Sequence, residues 1–368
     1  MQDSSMTVFV LNGLTMFILV LTSFWVVLNV LYILFREKFV SKGFKLYYGL
    51  LLVYKKEGSS FKSIPVFGKL SYLLIALFAA TLMYFYLTLV LNIISRLSGI
   101  GGFIKLVVPG VHVKGINLVY FIVSLIIAAI VHELSHAFTA RTHNVKIKSI
   151  GFAVLPVLAL AFVEVDDESF SKLSRKSKSS ILSAGPVSNL LLGLLALIIS
   201  SILIDPYGLV IVETVKGGFA EEIGIKPYDT ILAINNQPIN ISILRSYMST
   251  NEEINLTFSI LRGGEVLVIN AVKPGNISQL GVYMVSKPRD TMVKLMGLKT
   301  SLETLSFINW FHIVNVSLAF INALPLFISD GGRIVYEVLR NKKLATVINI
   351  STLILLLTSI LSSTIPLS

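Results

Sequence analysis

NLVYFIVSLIIAAIVHELSHAFTA, residues 117–140, is long and apolar enough to cross a bilayer, yet it places two histidines and a glutamate within the five positions His132 to His136. A spanning helix needs about 20 apolar residues, and each ionisable group at its centre costs roughly 2.5–3.5 kcal/mol on insertion scales. Three such groups in little more than one turn require a compensating task. His132 and His136 are four apart, about 400° around a helix, so both imidazoles leave the same face one turn apart. That spacing suits two ligands of a tetrahedral zinc. Glu133 sits about 100° round from His132 and reaches water at the metal without taking a ligand position. The alternative is a set of polar groups satisfied by neighbouring helices. With only five histidines in the chain, the pairing of two of them around a Glu inside a span favours the metal.

The composition agrees with a membrane setting. The 368 residues are 54% hydrophobic and 14% charged, with a mean hydropathy of +0.81, more apolar surface than one soluble core can hide. There is no cysteine, so disulfides and thiolate sites are excluded and a metal must take His, Asp, Glu or backbone groups. The net charge of +11 lies mainly in short loops between apolar runs, where it orients helices; nucleic-acid binding is not expected. The run 7–35 is longer than a signal-peptide core and has no basic leader, and is read as a retained span.

Six segments qualify as spans: 7–35, 71–95, 117–140, 180–204, 304–327 and 344–366. The loops Arg36–Lys69, Arg141–Lys178 and Arg333–Lys343 hold eight, seven and four basic residues. They alternate as a six-span chain requires, which puts them in the cytosol and both termini outside, as expected in a plasma (cell) membrane protein. His132 then lies about 14 Å of helix from Arg141, submerged in the cytosolic half.

A catalytic zinc takes a third protein ligand and leaves a position open. His143 is eleven positions beyond His132, whereas metzincins use the tenth, and Thr139 stands where they have Gly, so it is rejected. Glu164, within VEVDDE at 163–168, is a weaker alternative because its acidic neighbours read as a solvated turn. Asp330 is preferred, since it follows NALPLFIS at the end of the fifth span and matches the histidines in depth. Pro325 should break the helix there and free backbone around Asn322, which a protein-lined cavity must satisfy. An ordinary helix cap is the plain alternative for Asp330.

Residues 145–165, VKIKSIGFAVLPVLALAFVEV, are apolar, β-prone and interrupted by Pro156, too irregular for a clean span. They form either a cytosolic hairpin or irregular backbone at membrane depth. Residues 205–290 differ from the rest. Strand-like runs at Leu209–Val215, Thr230–Ile234, Ile254–Leu261 and Val266–Val272 are separated by Gly-Gly and Asn-Asn turns, as in a small soluble insert outside the membrane. Within it, GLVIVETVKGGFAEEIGIKPYDTILAINNQPI, Gly208–Ile239, resembles a PDZ domain: a short loop, a helix over Ala220–Ile225 with Gly224, then Asp229, Ile231 and Ile234-Asn235. Tyr228 stands where that family usually has Gly. PDZ domains bind peptide tails as an added strand, and a β-rich spacer is the alternative.

HELSH at 132–136, AGPVSN at 184–189 and NALPLFISDGG at 322–332 together resemble the site-2 protease family of intramembrane metalloproteases, over roughly residues 117–366. The resemblance implies one zinc per chain held by His132, His136 and Asp330, Glu133 as general base, and Asn189 and Asn322 near the substrate or the oxyanion. Asn189 is the expected oxyanion donor, with interhelical packing as the alternative. It also implies a re-entrant β-loop at 145–165 that pairs with an unwound substrate, and cleavage of the transmembrane segments of membrane-anchored proteins. Ser329 replaces the usual Leu before the metal-binding Asp. The expected fold is thus a polytopic α-helical membrane protein with a re-entrant β-loop and an inserted PDZ-like domain. Its parts are 1–116, two helices and a basic loop; 117–204, the first part of the catalytic core; 205–290, the insert; and 291–368, the remainder of the core. A membrane receptor or chaperone with a structural metal is the rival. A transporter is disfavoured because no repeat relates the halves.

Overall fold

A computed structural model describes residues 2–58, 68–155, 158–339 and 341–364, with side chains described outside 2–17, 158–160 and 364. The N-terminal elements are α1 (Gln2–Leu34), α2 (Arg36–Ser41), β1 (Phe44–Tyr47), β2 (Leu51–Glu57) and α3 (Ser71–Leu97). Next come α4 (Ile116–Thr142), β3 (Ile147–Leu155), β4 (Leu158–Val165), α5 (Asp167–Ser171) and α6 (Arg175–Leu203). The following segment holds β5 (Ile204–Thr214), α7 (Phe219–Glu222), β6 (Thr230–Ile234), β7 (Gln237–Pro238), α8 (Ile241–Met248), β8 (Ile254–Arg262), β9 (Glu265–Lys273), β10 (Val282–Pro288) and α9 (Asp290–Met296). The chain ends with α10 (Leu298–Ala323), α11 (Asp330–Val338) and α12 (Lys342–Thr364). Two compact units result: Met1–Ala196 with Asn309–Ser368, and Leu197–Ile308.

Five of these helices, α3, α4, α6, α10 and α12, are long and apolar enough to cross a membrane. They coincide with five of the six expected spans. The expected span at 7–35 falls in α1, 33 residues long, of which Ile18–Leu34 is apolar among the residues with described side chains. The fifth helix stops at Ala323, earlier than the expected 327, because Pro325 offers no N–H and excludes a helical predecessor.

In the first unit β1 to β4 form one antiparallel sheet in sequence order. The expected hairpin at 145–165 is its β3–β4 half, with Ile150 opposite Val163 and Phe152 opposite Ala161; Pro156 lies outside the described residues. The β1–β2 half comes from the basic loop, where no strand was expected. Its aromatic residues lock the halves together: the rings of Tyr54 and Phe152 stack 5.2 Å apart. Asn29 of α1 donates to the Gly49 carbonyl at the turn between β1 and β2, 2.8 Å away, so the turn is held against an apolar helix. β4, the other edge, lies alongside α4. Helices α3 and α12 share a polar seam, in which Asn92 donates to the Ser359 carbonyl at 2.9 Å and Tyr86 bonds Thr352.

The second unit is a six-stranded antiparallel sheet in the order β10-β5-β6-β8-β9, with β7 paired to β6. Leu209, Ile211, Phe219, Ile231, Phe258 and Ile260 are among its buried core. Its strands cover the expected runs. Tyr228 has φ +69°, the left-handed region in which Gly is at ease and a side chain strains.

Candidate metal centre

The centre is assembled from three elements of the first unit. His132 and His136 are brought together by the helical repeat of α4, with ring centroids 4.8 Å apart. Asp330 comes from a bend that follows α10. Ser329 caps α11: its hydroxyl accepts from the N–H groups of Gly332 and Leu326, each at 3.1 Å, and donates to the Leu324 carbonyl. The cap is therefore Ser329 rather than Asp330, whose carboxylate is left free to face α4. Its Oδ2 lies 3.1 Å from His132 Nε2 and 3.2 Å from His136 Nε2, and the two Nε2 atoms are 3.1 Å apart. All three residues are buried or nearly so, the Asp330 side chain being 12% exposed.

The donor set fits a divalent metal. A neutral imidazole carries one proton, and the partner of one nitrogen decides which. His136 Nδ1 lies 2.7 Å from the Ile181 carbonyl and therefore donates to it, which makes Nε2 the lone-pair nitrogen. Pro186, inside α6, loosens this turn by removing the N–H that would bond the Leu182 carbonyl, next to Ile181. His132 Nδ1 lies 3.2 Å from Nδ2 of Asn189, while Asn189 Oδ1 has no hydrogen-bond partner. The carboxamide accepts the Nδ1 proton when its oxygen is the near atom, an assignment that hydrogen bonding decides. With the carboxamide turned that way, two lone pairs and a carboxylate face one another, an arrangement that a cation or a shared proton between them relieves. Such outer hydrogen bonds orient histidine ligands and raise their basicity.

Gly185 makes room. A Cβ at this position would come 2.4 Å from His136 Nε2 and 2.6 Å from His132 Nε2, so only glycine lets α6 pass this close. Small residues in AGPVSN were the visible signal for this. Glu133, on α4, accepts from the Val163 N–H of β4 at 2.9 Å. It lines a cavity of about 80 Å³ with His136, Val163, Asp330 and Arg333, large enough for water beside the ligands. Arg333 was read only as a charge that orients the loop.

The remaining candidates are elsewhere. Glu164 pairs with Lys55 at 2.6 Å and accepts from Ser149 at 2.7 Å; the Lys55 hydrogen bond, then that from Ser149, hold its carboxyl below the usual range. The ring of His143 lies 3.3 Å from Ser71 Oγ. Asn322 is half-buried in the last turn of α10 and takes no part in the hydrogen bonds of the cluster. Asn189 is placed behind His132, on the Nδ1 side away from Asp330.

Residues 120–361 match the profile of Peptidase family M50. The chain is also 33% identical over 214 residues to an uncharacterized protein of Methanocaldococcus jannaschii, MJ0971, an alignment covering 57% of this chain and 54% of that protein. The chain thus spans about half the length of that curated relative.

Proposed function

Because the chain belongs to peptidase family M50, a family of membrane-embedded metallopeptidases, we propose that His132, His136 and Asp330 hold one zinc and that the protein cleaves transmembrane segments of membrane-anchored proteins. The observation that carries this is the convergence of two Nε2 atoms and one carboxylate oxygen at 3.1–3.2 Å, with Glu133 on the same cavity wall. Zinc held there supplies Lewis acidity and brings the pKa of water down to about 7. Glu133 takes the proton from the attacking water and hands it to the leaving amine. Three protein ligands would leave a position open for chemistry, whereas a structural site would close it with a fourth.

The strand β4 supports a way of presenting the scissile bond. Val163 N–H points away from β3, toward Glu133, so by the alternation of an antiparallel ladder Ala161 turns its N–H and C=O the same way. An unwound substrate would add to this edge as a fifth strand, its backbone held straight across the face of Glu133. Asn189 then serves His132 rather than the oxyanion, and Asn322, at the end of α10, remains the candidate on the substrate side.

The second unit suits the capture of peptide tails. Its edge strand β10 and helix α8 flank a groove of about 580 Å³ lined by Leu244, Met248, Leu280, Gly281, Val282 and Met284 among others. A strand added to β10 would bury alternate side chains there. In this reading the unit is extracytoplasmic and admits substrates whose outer portion has been trimmed, while the active site opens toward the cytosolic side.

The test is zinc content and cleavage of a reconstituted membrane-protein substrate by the wild type and Glu133→Gln. Zinc in both, with turnover lower by roughly 10²–10⁴ in the variant, is expected for a general base. Equal turnover would remove Glu133 from that role, and zinc without cleavage in the wild type would favour the receptor or chaperone reading.

A further inference from the structure

The β1–β2 hairpin carries apolar surface at one end and charge at the other. At its tip Tyr47, Tyr48 and Leu50 are 43%, 99% and 54% exposed, and large apolar side chains gathered at one turn mark a membrane or protein contact. The tip lies beside an apolar helix, because Asn29, inside the apolar run Ile18–Leu34 of α1, donates to the Gly49 carbonyl at 2.8 Å. At the other end the chain leaves α1 through α2, where the Phe39 ring packs 5.5 Å from Tyr32 and 6.0 Å from Phe44. β1 therefore runs back along α1, toward the bilayer interior.

The base of the hairpin is basic. An open cleft of about 710 Å³ lies between the end of α2 and the two strands, lined by Lys42, Lys45, Lys55, Lys56 and Glu57 among others. Gly43, at φ +89°, permits this approach, since a Cβ there would stand 2.5 Å from the Lys55 carbonyl oxygen. Lys55 reaches a carboxylate, Glu164 at 2.6 Å, whereas Lys42, Lys45 and Lys56 have no ion pair among the described residues. Like charges gathered in one place repel, and an anion in the cleft would remove that cost. Depth indicates which anion. Asn29 is five residues short of the end of α1 at Leu34, about 8 Å of helix. Lys45 stands three residues from Tyr48, about 10 Å of strand, and Lys55 and Lys56 stand five and six from Leu50, about 17–20 Å. The lysines thus begin level with the end of the apolar run and extend about 10 Å past it, which spans the headgroup layer of about 5–8 Å on each side of a bilayer.

We propose that this cleft binds the phosphate-bearing headgroup of an anionic phospholipid, whose acyl chains lie along the exposed tip of the hairpin and the apolar surface of α1. Lys42, Lys45 and Lys56 supply the charge. Tyr47 and Tyr54, also in the lining, have the amphipathic rings that settle at headgroup level. The bound lipid bears on the whole four-stranded sheet through Lys55, whose tie to Glu164 reaches from β2 across β3 to β4. The lysine cleft and the metal centre share no residue.

The experiment places the purified full chain in nanodiscs of phosphatidylcholine alone or of phosphatidylcholine mixed with phosphatidylglycerol. Two quantities are read: the ratio of the two lipids that stay bound on release, by native mass spectrometry, and the unfolding temperature. Wild type is compared with Lys45→Gln/Lys56→Gln and with Lys342→Gln/Lys343→Gln, which removes the same charge from the exposed start of α12. The wild type is expected to retain phosphatidylglycerol in preference and to unfold later in its presence. A lysine at a membrane surface contributes about fivefold in affinity for anionic lipid, so the cleft variant should lose roughly 30-fold of that preference, and the α12 variant should keep it. Each single substitution should remove about fivefold, which preserves the comparison if the double variant does not fold. No preference in the wild type, an undiminished preference in the cleft variant, or an equal loss in the α12 variant would each overturn the proposal, the last by making the attraction a property of the whole surface. Inorganic phosphate added to the phosphatidylcholine nanodiscs separates the two sources of phosphate. A rise in unfolding temperature that matches the one from phosphatidylglycerol, and is lost in the cleft variant, would assign the cleft to a soluble anion and overturn the lipid.

Discussion

Gly185 shows how much the proposed metal site depends on the absence of a side chain. A methyl group there would stand within 2.4 Å of one ligand nitrogen and 2.6 Å of the other, far inside van der Waals contact. Gly185→Ala is therefore expected to reduce zinc affinity by roughly tenfold or more, on the scale of a disturbed ligand shell, while the helix itself gains propensity from Ala. A zinc titration that leaves affinity unchanged would mean that α6 and the histidines can separate. Tyr228 gives a stability prediction of the opposite sign. It occupies the left-handed region at φ +69°, so Tyr228→Gly should stabilise the second unit by roughly 0.5–1 kcal/mol, read as a rise in its denaturation midpoint. The strain has not been removed by a glycine, and Tyr228 N–H still bonds the Ile211 carbonyl at 2.7 Å.

At the scale of elements, the proposed pairing of substrate with β4 can be tested. If substrate pairs with β4, Ala161→Pro removes one outward N–H from an edge where proline is structurally tolerated. Cleavage should fall about tenfold, the value of one backbone hydrogen bond of about 1–1.5 kcal/mol, with zinc content unchanged. Undiminished cleavage would place the substrate elsewhere. The other face of the same strand carries Glu164, whose carboxyl is held low by the Lys55 hydrogen bond and then by Ser149. A depressed acid stabilises the fold above its unfolded pKa, here about 4.5, and that contribution disappears as pH falls through the lower folded value. Glu164→Gln should thus be slightly less stable than the wild type at neutral pH, with the two thermal curves merging in acid. The effect is small because both side chains are 42% exposed. Much of this element level was legible beforehand: the length of apolar runs marked the five long helices among six expected spans, and β-prone runs marked the strands of the insert and a hairpin as one of two readings of 145–165. The β1–β2 hairpin was not, because its lysines pointed to a basic loop and its pairing partner, Phe152 on β3, lies about a hundred residues away in sequence.

For the whole molecule, the three proposed ligands and Glu133 all belong to the unit built from Met1–Ala196 and Asn309–Ser368. The Leu197–Ile308 unit contributes none of them. Arg289 N–H donates to the Leu203 carbonyl at 2.9 Å, so the chain leaves and returns at neighbouring points, and residues 205–288 can be replaced by a short linker without stretching the backbone. The excised protein is expected to retain its zinc and to cleave an isolated transmembrane substrate, while losing discrimination between long and trimmed outer tails. Zinc loss on excision would show that the insert supports the membrane unit. Equal discrimination before and after would leave the insert with no part in selection.

The sequence by itself determined that the chain crosses a membrane, that a zinc-type motif lies inside one of the crossings, and that a β-rich segment interrupts the helices. Those conclusions rest on composition and on repeats of two or four residues, which are local and survive without a fold. It also singled out Asp330, because a proline and the depth of the fifth span mark a break in backbone close to the histidines. Only the tertiary structure decided what each residue faces. It turned the carboxylate of Asp330 onto both Nε2 atoms, put Asn189 behind His132, gave the cap to Ser329 and brought Gly185 against the ligands. Each of these depends on packing between helices distant in sequence, where a few tenths of an ångström separate contact from clash. A one-dimensional pattern carries the period of a helix, but the rotation and depth that it takes among its neighbours are set by the whole bundle.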